Sequence, residues 1–166
     1  ELVTLIAEGG AIICAWDSLY ERYVGAVTVY EMRCKEADED WDMWADDPLF
    51  PGCQAETPES FSGIVLLESA SVSPHARGHG IGMELYKRRL QWAWARPSVH
   101  AAVGYSWRSG QNESLGLHKA LGGVEGITKT GVFANMPCTK CGPSCECPAT
   151  LVVFHKPTVD IDGDAL

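Results

Sequence analysis

No apolar run in the sequence approaches the ~20 residues of a membrane span, and no basic, apolar, small-residue signal region opens it. A membrane setting and a secretory leader are therefore not expected, and the reading is a cytoplasmic domain. Basic residues are scarce. Lys and Arg number 13 against 22 Asp and Glu, which gives a formal net charge of -9 and a pI near 4.9. Nucleic acid is excluded as a partner on this ground, because phosphate backbones are bound through Lys and Arg. No internal repeat is visible, so a repeat array is excluded as well. With 46% hydrophobic and 21% charged residues over 166 positions, residues 1–166 read as one domain with enough length for a core.

The acidity is uneven. Glu36, Asp38, Glu39, Asp40, Asp42, Asp46, Asp47, Glu56 and Glu59 crowd one stretch, an acidic insertion over 35–60. Such a run is either a solvated loop or a surface that steers a cationic amine. Trp41, Trp44, Leu49 and Phe50 lie among these acids and are expected to cover something apolar. On either side the pattern is regular. Residues 2–7, 11–16 and 23–30 are short and apolar, broken by Gly9-Gly10 and by a polar stretch from Asp17 to Arg22, and predict an antiparallel meander. Residues 63–72 predict a strand and 80–95 a helix, with Ile81, Leu85, Tyr86, Leu90 and Trp94 at helical spacing. Residues 99–107 predict a second core strand. A short helix is expected over 112–121, ended by Gly122-Gly123, and a last strand pair over 124–134 and 149–156.

Between the strand at 63–72 and the helix lies Val72-Ser73-Pro74-His75-Ala76-Arg77-Gly78-His79-Gly80-Ile81-Gly82. A glycine turn at a helix start is a phosphate cradle: the first amides of a helix have no partner within it, the dipole adds positive charge, and a turn without side chains lets a pyrophosphate approach. Three patterns compete. A P-loop needs Lys and then Ser or Thr after the last glycine, but Met83 and Glu84 follow Gly82. A dinucleotide fingerprint needs G-x-G-x-x-G and an acid about 20 residues on; here the spacing is G-x-G-x-G and 98–103 read SVHAAV. The third, Arg-x-x-Gly-x-Gly, is met by Arg77, Gly80 and Gly82, with Val72 and Pro74 upstream. In this the chain resembles the Gcn5-related N-acetyltransferases. Ser114-Leu115-Gly116-Leu117-His118-Lys119-Ala120-Leu121-Gly122 is similar to the S-x-x-L-H-x-x-L-G run of that family's phosphinothricin acetyltransferase branch.

The resemblance covers 63–123 well and the flanks by topology. It implies an α/β fold with a mixed, mostly antiparallel central sheet flanked by helices and two splayed central strands; in this chain a cysteine-rich loop over 137–148 is read between the last two strands. It implies acetyl-CoA as co-substrate. Ala70 and Val72 would offer backbone groups to the pantetheine arm, while Arg77, Gly78, His79, Gly80, Ile81 and Gly82 hold the pyrophosphate and Asn112 meets the cofactor. Glu68 falls where many members carry a basic carboxylate, and reads either as general base, directly or through water, or as a solvent-facing strand residue. His118 matches the place of the tyrosine that protonates the CoA thiolate, and reads either as that acid or as a structural histidine. Tyr105 and Trp107 share a strand face and border the acceptor pocket or pack in the core. The chain also departs from the family. No pair of helices precedes Ala11, so the chain is a compact variant or its N-terminus has been lost, and the insertion is expected to supply the missing wall. Gly123 stands where an aromatic residue is usual, and the stretch from Asn112 to Ser114 is one residue short.

Cys138, Cys141, Cys145 and Cys147 are spaced C-x2-C-x3-C-x-C among prolines and a glycine. Four soft ligands on tight turns suit a structural tetrahedral Zn²⁺; free or disulfide-linked thiols and an iron–sulfur cluster are the other readings. His155 is a further candidate ligand that its strand position disfavours. Cys14, Cys34 and Cys53 are scattered and read as small apolar fillers, or, for Cys34 and Cys53, as a pair that meets across the insertion they flank. The sum is an acetyl-CoA-dependent N-acetyltransferase that passes the acetyl group directly to an amine, with a small cationic amine expected and a peptide amine allowed. A homodimer is compatible with this reading. The rival is a CoA-binding module without catalysis whose zinc-stapled loop docks a protein partner.

Overall fold

The computed structural model describes residues 1–7, 9–32, 47–50, 63–107, 114–132 and 146–158. β1 (Leu2–Ala7), β2 (Gly10–Asp17) and β3 (Arg22–Glu31) form the expected antiparallel meander. Along β3, buried Val27 and Val29 alternate with half-buried Ala26, Thr28 and Tyr30, the period of a strand with two unlike faces.

The strand expected over 63–72 is two strands. β4 (Ile64–Leu67) is buried at every residue, as a strand covered on both faces must be, and β5 (Ala70–Val72) follows after Glu68 and Ser69. Both pair with β3, but not in one register. Tyr30 pairs with Leu66 and Val27 with Ala70, so three steps along β3 are matched by four along the β4–β5 segment. The extra residue is a bulge, with Glu68 and Ser69 together opposing Thr28.

A 3-10 turn (Pro74–Ala76) leads into α1 (Ile81–Trp94), the crossover that a parallel strand pair requires. β6 (Ala101–Trp107) then runs parallel to β4, followed by α2 (Leu115–Ala120), β7 (Val124–Lys129) and β8 (Ala149–His155). The sheet order is β1-β2-β3-β4-β6-β8-β7 with β5 on β3, antiparallel at every pairing but β4 with β6. This is the mixed, mostly antiparallel sheet that the resemblance implied. The short helix begins and ends inside its expected span, because Gly122 turns left-handed at φ 85° just after it.

Each face of the sheet has its own core. α1 lays Leu85, Tyr86, Arg89, Leu90 and Ala93 on one, against Val27, Val29, Val65, Ala102 and Phe154 among others. Its last turn is tied down by Arg96, which stacks 3.2 Å from the Trp92 ring, donates to the Trp92 carbonyl and pairs with Glu31 at 3.1 Å. The opposite face gathers Met32, Ile64, Leu66, Val103, Leu151 and Val153. Phe50, fully buried, and Leu49 come from the insertion and pack on this face. Trp41, Trp44, Cys34, Cys53 and every acid named for the insertion except Asp47 lie outside the described residues.

Gly123 also has a physical account. A Cβ there would stand 2.5 Å from a Val152 methyl and 2.8 Å from the Phe154 ring, so β8 occupies the space that an aromatic side chain would need. Among the described residues no helix is long and apolar enough to cross a membrane.

Candidate functional site

The last β4–β6 pair is Leu67 with Gly104, and beyond it the two strands part. β5 stays with β3, and residues 105–107 of β6 stay with β8. The bulge at Glu68 and Ser69 lies where the two strands part.

One edge of β5 faces the opening. The Ser69 carbonyl accepts from the Thr28 amide and the Ser73 amide donates to the Val24 carbonyl, so residues 69, 71 and 73 point their backbone groups at β3. Strand alternation then turns those of Ala70 and Val72 toward the splay. Of these, the Val72 carbonyl already accepts from Arg77 Nε at 3.0 Å, which fastens the glycine turn to the strand end.

At the turn, Gly78 and Gly80 adopt φ 79° and 77°, and nothing lies within 4 Å of where a Cβ would stand at either. Gly80 is the residue before α1 and closes no side-chain cap, so the first amides of the helix face an open cradle. Gly82 lies between Val72 and Leu117, whose methyls would be 3.8 and 3.7 Å from a Cβ there. His79 is exposed and Ile81 half-buried beside them. The cradle thus fits a pyrophosphate by shape and by dipole. An open cleft of about 720 Å³ adjoins this turn, lined by Trp16, Asp17, Arg22, His75, His79 and Gly80 among others. It borders α1 on the β1–β2 side and includes no residue of β5 or β6, so it is separate from the splay.

Glu68 is exposed at the mouth of the splay, and its Oε2 accepts from the Thr28 hydroxyl at 3.1 Å. Thr28 shares a strand face with Tyr30, which belongs to the core opposite α1. Tyr105 packs in that same core and Trp107 follows it on the same face, half-buried.

His118 is elsewhere. Its ring is buried between Tyr86, at 5.0 Å between centroids, and Phe154, at 5.8 Å, and neither ring nitrogen has a partner. Burial first, and the nearby Arg89 charge second, push its pKa from 6.5 down to about 3. At neutral pH it is a neutral packing group without an imidazolium proton to give. The structure thus brings Glu68, Ala70, Val72, Arg77 and the glycines together and leaves His118 in the core.

Asn112, Cys138, Cys141 and Cys145 lie outside the described residues; Cys147 is half-buried just before β8, and His155 ends that strand exposed. Among the described residues, no cluster of three or more His, Cys, Asp or Glu is arranged to hold a metal.

Three residues near the site carried no expectation. Arg89, almost fully buried, reaches from α1 to donate to the Ser69 carbonyl at 3.2 Å and stacks 3.8 Å from the Tyr86 ring centroid. Burial lowers its pKa from the ordinary arginine value. Helical spacing does put Arg89 on the apolar stripe, four residues from Leu85 and from Ala93, so a signal existed. Thr28 and Ser69 had none, since their pairing depends on the bulge.

No family model matches the chain, and no curated protein matches it in sequence. Solved structures do match. The ribosomal-protein-alanine N-acetyltransferase of Brucella melitensis superposes with a TM-score of 0.57 at 19% identity, over 89% of this chain and 70% of that one. The ribosomal-protein-S5-alanine acetyltransferase of Vibrio fischeri gives 0.60 at 11% identity, over 92% and 65%. NAA60 of Arabidopsis thaliana, solved with acetyl-CoA, gives 0.60 at 16% identity, over 89% and 76%. The chain spans between 65% and 76% of the length of these three proteins. With its splayed strands and glycine cradle, the chain has the fold of the Gcn5-related N-acetyltransferases.

Proposed function

We propose that this chain is an acetyl-CoA-dependent N-acetyltransferase, a single domain working in the cytoplasm, whose acceptor is a small cationic amine. The observation that carries the reading is the join of a pyrophosphate-shaped cradle to a splay with a carboxylate at its mouth. Each part alone is common; together they hold a thioester arm and a base along one line. In this reading the amine nitrogen attacks the thioester carbonyl carbon, the C–N bond forms and the C–S bond breaks. Glu68 takes the proton that the amine gives up, directly or through a water, and the departing thiolate is protonated by solvent. His118, neutral and buried, is left out of the proton path.

The net charge of -9 supports a cationic acceptor over an anionic one. Solved structures with this fold include a spermidine/spermine N-acetyltransferase from Vibrio cholerae and the alanine acetyltransferases of ribosomal proteins above, so both a polyamine and a peptide N-terminus belong in the test. The experiment is thiol release from acetyl-CoA with spermidine, a streptothricin and an alanyl peptide. The expected result is turnover with a cationic small molecule, reduced on the order of 100-fold in kcat by Glu68→Gln. No thermal shift with acetyl-CoA would overturn the reading.

The rival, a CoA-binding module without catalysis, draws its support from the burial of His118. It predicts a thermal shift with acetyl-CoA, no turnover with any amine and no effect of Glu68→Gln. In either reading Cys138, Cys141, Cys145 and Cys147 hold a structural Zn²⁺ that staples the loop before β8, a proposal that rests on their spacing.

A further inference from the structure

The bulge gives Thr28 two neighbours where an unbroken ladder would give one, and its hydroxyl contacts both. The Ser69 amide donates to Thr28 Oγ1 at 3.0 Å, the two hydroxyls lie 2.7 Å apart, and Thr28 Oγ1 donates to Glu68 Oε2 at 3.1 Å. A hydroxyl has one proton and two lone pairs. An ionised carboxylate only accepts, so the Thr28 proton goes to Glu68, and both lone pairs are filled, one by the Ser69 amide and one by the Ser69 hydroxyl. The Thr28 hydroxyl cannot rotate away without losing all three contacts. Ser69 is fixed in turn, because its carbonyl is held by the Thr28 amide at 3.0 Å and by Arg89 at 3.2 Å.

From this geometry we propose that Thr28 is a positioning residue for Glu68, holding the carboxylate at the mouth of the splay. The role rests on Glu68 being the base. Position matters there because a general base acts only within hydrogen-bond reach of the proton it takes, and an exposed glutamate otherwise samples many rotamers. The bulge, which lies where the sheet opens for the thioester arm, therefore also lines up the group that acts on the amine.

The test uses the full chain with ¹³C-labelled glutamate, the Glu68 carboxyl resonance being the one lost in Glu68→Gln. Thr28→Val keeps the shape and removes the donor; Thr28→Ser keeps the donor. The expected result is that Thr28→Val moves the Glu68 resonance and leaves the other glutamates in place, while Thr28→Ser leaves all of them. In acetyl transfer to spermidine, kcat falls about tenfold in Thr28→Val at unchanged KM for acetyl-CoA, and is restored in Thr28→Ser. Adding Thr28→Val to Glu68→Gln costs nothing more. A Glu68 resonance that stays put in Thr28→Val, or an equal loss of rate in both backgrounds, overturns the proposal. If Glu68→Gln transfers as fast as the parent while the resonance still moves in Thr28→Val, the base reading falls and the Thr28 contact stands without it.

Discussion

The carboxylate of Asp47 accepts a hydrogen bond from the amide of Ile127 at 2.6 Å, joining the acidic insertion to the far edge of the sheet. Asp47 is almost fully buried, and its other oxygen accepts from the Leu49 amide at 2.8 Å. The contact sits where β7 slips register against β8 between Glu125 and Thr128, so the irregular stretch of β7 frees an amide for it. Gly126 allows the approach, because a Cβ there would collide with the carboxylate. Through this bond Phe50 is delivered into the core opposite α1.

Removing the carboxylate leaves the amides of the half-buried Leu49 and Ile127 without their acceptor. Asp47→Ala is expected to destabilise the fold by about 2–3 kcal/mol, a cost set by the orphaned donors more than by the lost bonds. Chemical denaturation measures it. Gly126→Ala should act in the same direction by pushing the carboxylate off, and a variant as stable as the parent would refute the pin.

The cradle makes a prediction about binding that is separate from catalysis. Gly82→Leu puts a side chain between Val72 and Leu117, the notch beside the first turn of α1. Calorimetric titration with CoA should show at least a tenfold weaker Kd, with Tm little changed since the position tolerates a helical residue. An unchanged Kd would mean that the pyrophosphate lies elsewhere.

His118 predicts a pH dependence of stability. Its folded pKa is lowered to about 3 against 6.5 in the unfolded chain, so between those values the unfolded state binds more protons. Stability from this group is therefore complete above about pH 6.5 and is lost as pH falls toward 3, with a slope of up to about 1.4 kcal/mol per pH unit. Denaturant melts at stepped pH read the slope. His118→Phe removes the titrating group and should flatten the curve; a variant that keeps the full acid slope would show that other groups cause it.

For the cysteine loop the expected stoichiometry is about one zinc per chain by elemental analysis, with chelation lowering Tm. Cys138→Ser should lose the metal. Purified protein without zinc would refute the staple.

Much of the fold could be read from the chain because it is locally coded. The short apolar runs at 2–7, 11–16 and 23–30, with the breaks between them, set the meander, and the spacing of Ile81, Leu85, Tyr86, Leu90 and Trp94 set α1. The Arg77-Gly78-His79-Gly80 turn announced the cradle because only glycines reach those φ values cheaply. Glu68 could be singled out as a charge in an apolar strand. The break beside it was hidden, since residues 63–72 alone do not reveal that β3 offers one residue, Thr28, against two. For His118 the helix pattern left two readings open, because its environment comes from Tyr86 and Phe154, distant in sequence.

The sequence by itself determined the elements and the conformation of the glycine turn, because strand period, helix period and glycine conformation are properties of neighbouring residues. The tertiary structure alone decided which groups face the opening and in what state. A register shift between β3 and the bulge sets the partner of Glu68, and burial against two other elements sets the charge of His118. Register and dielectric environment belong to contacts between segments, and no local pattern encodes them.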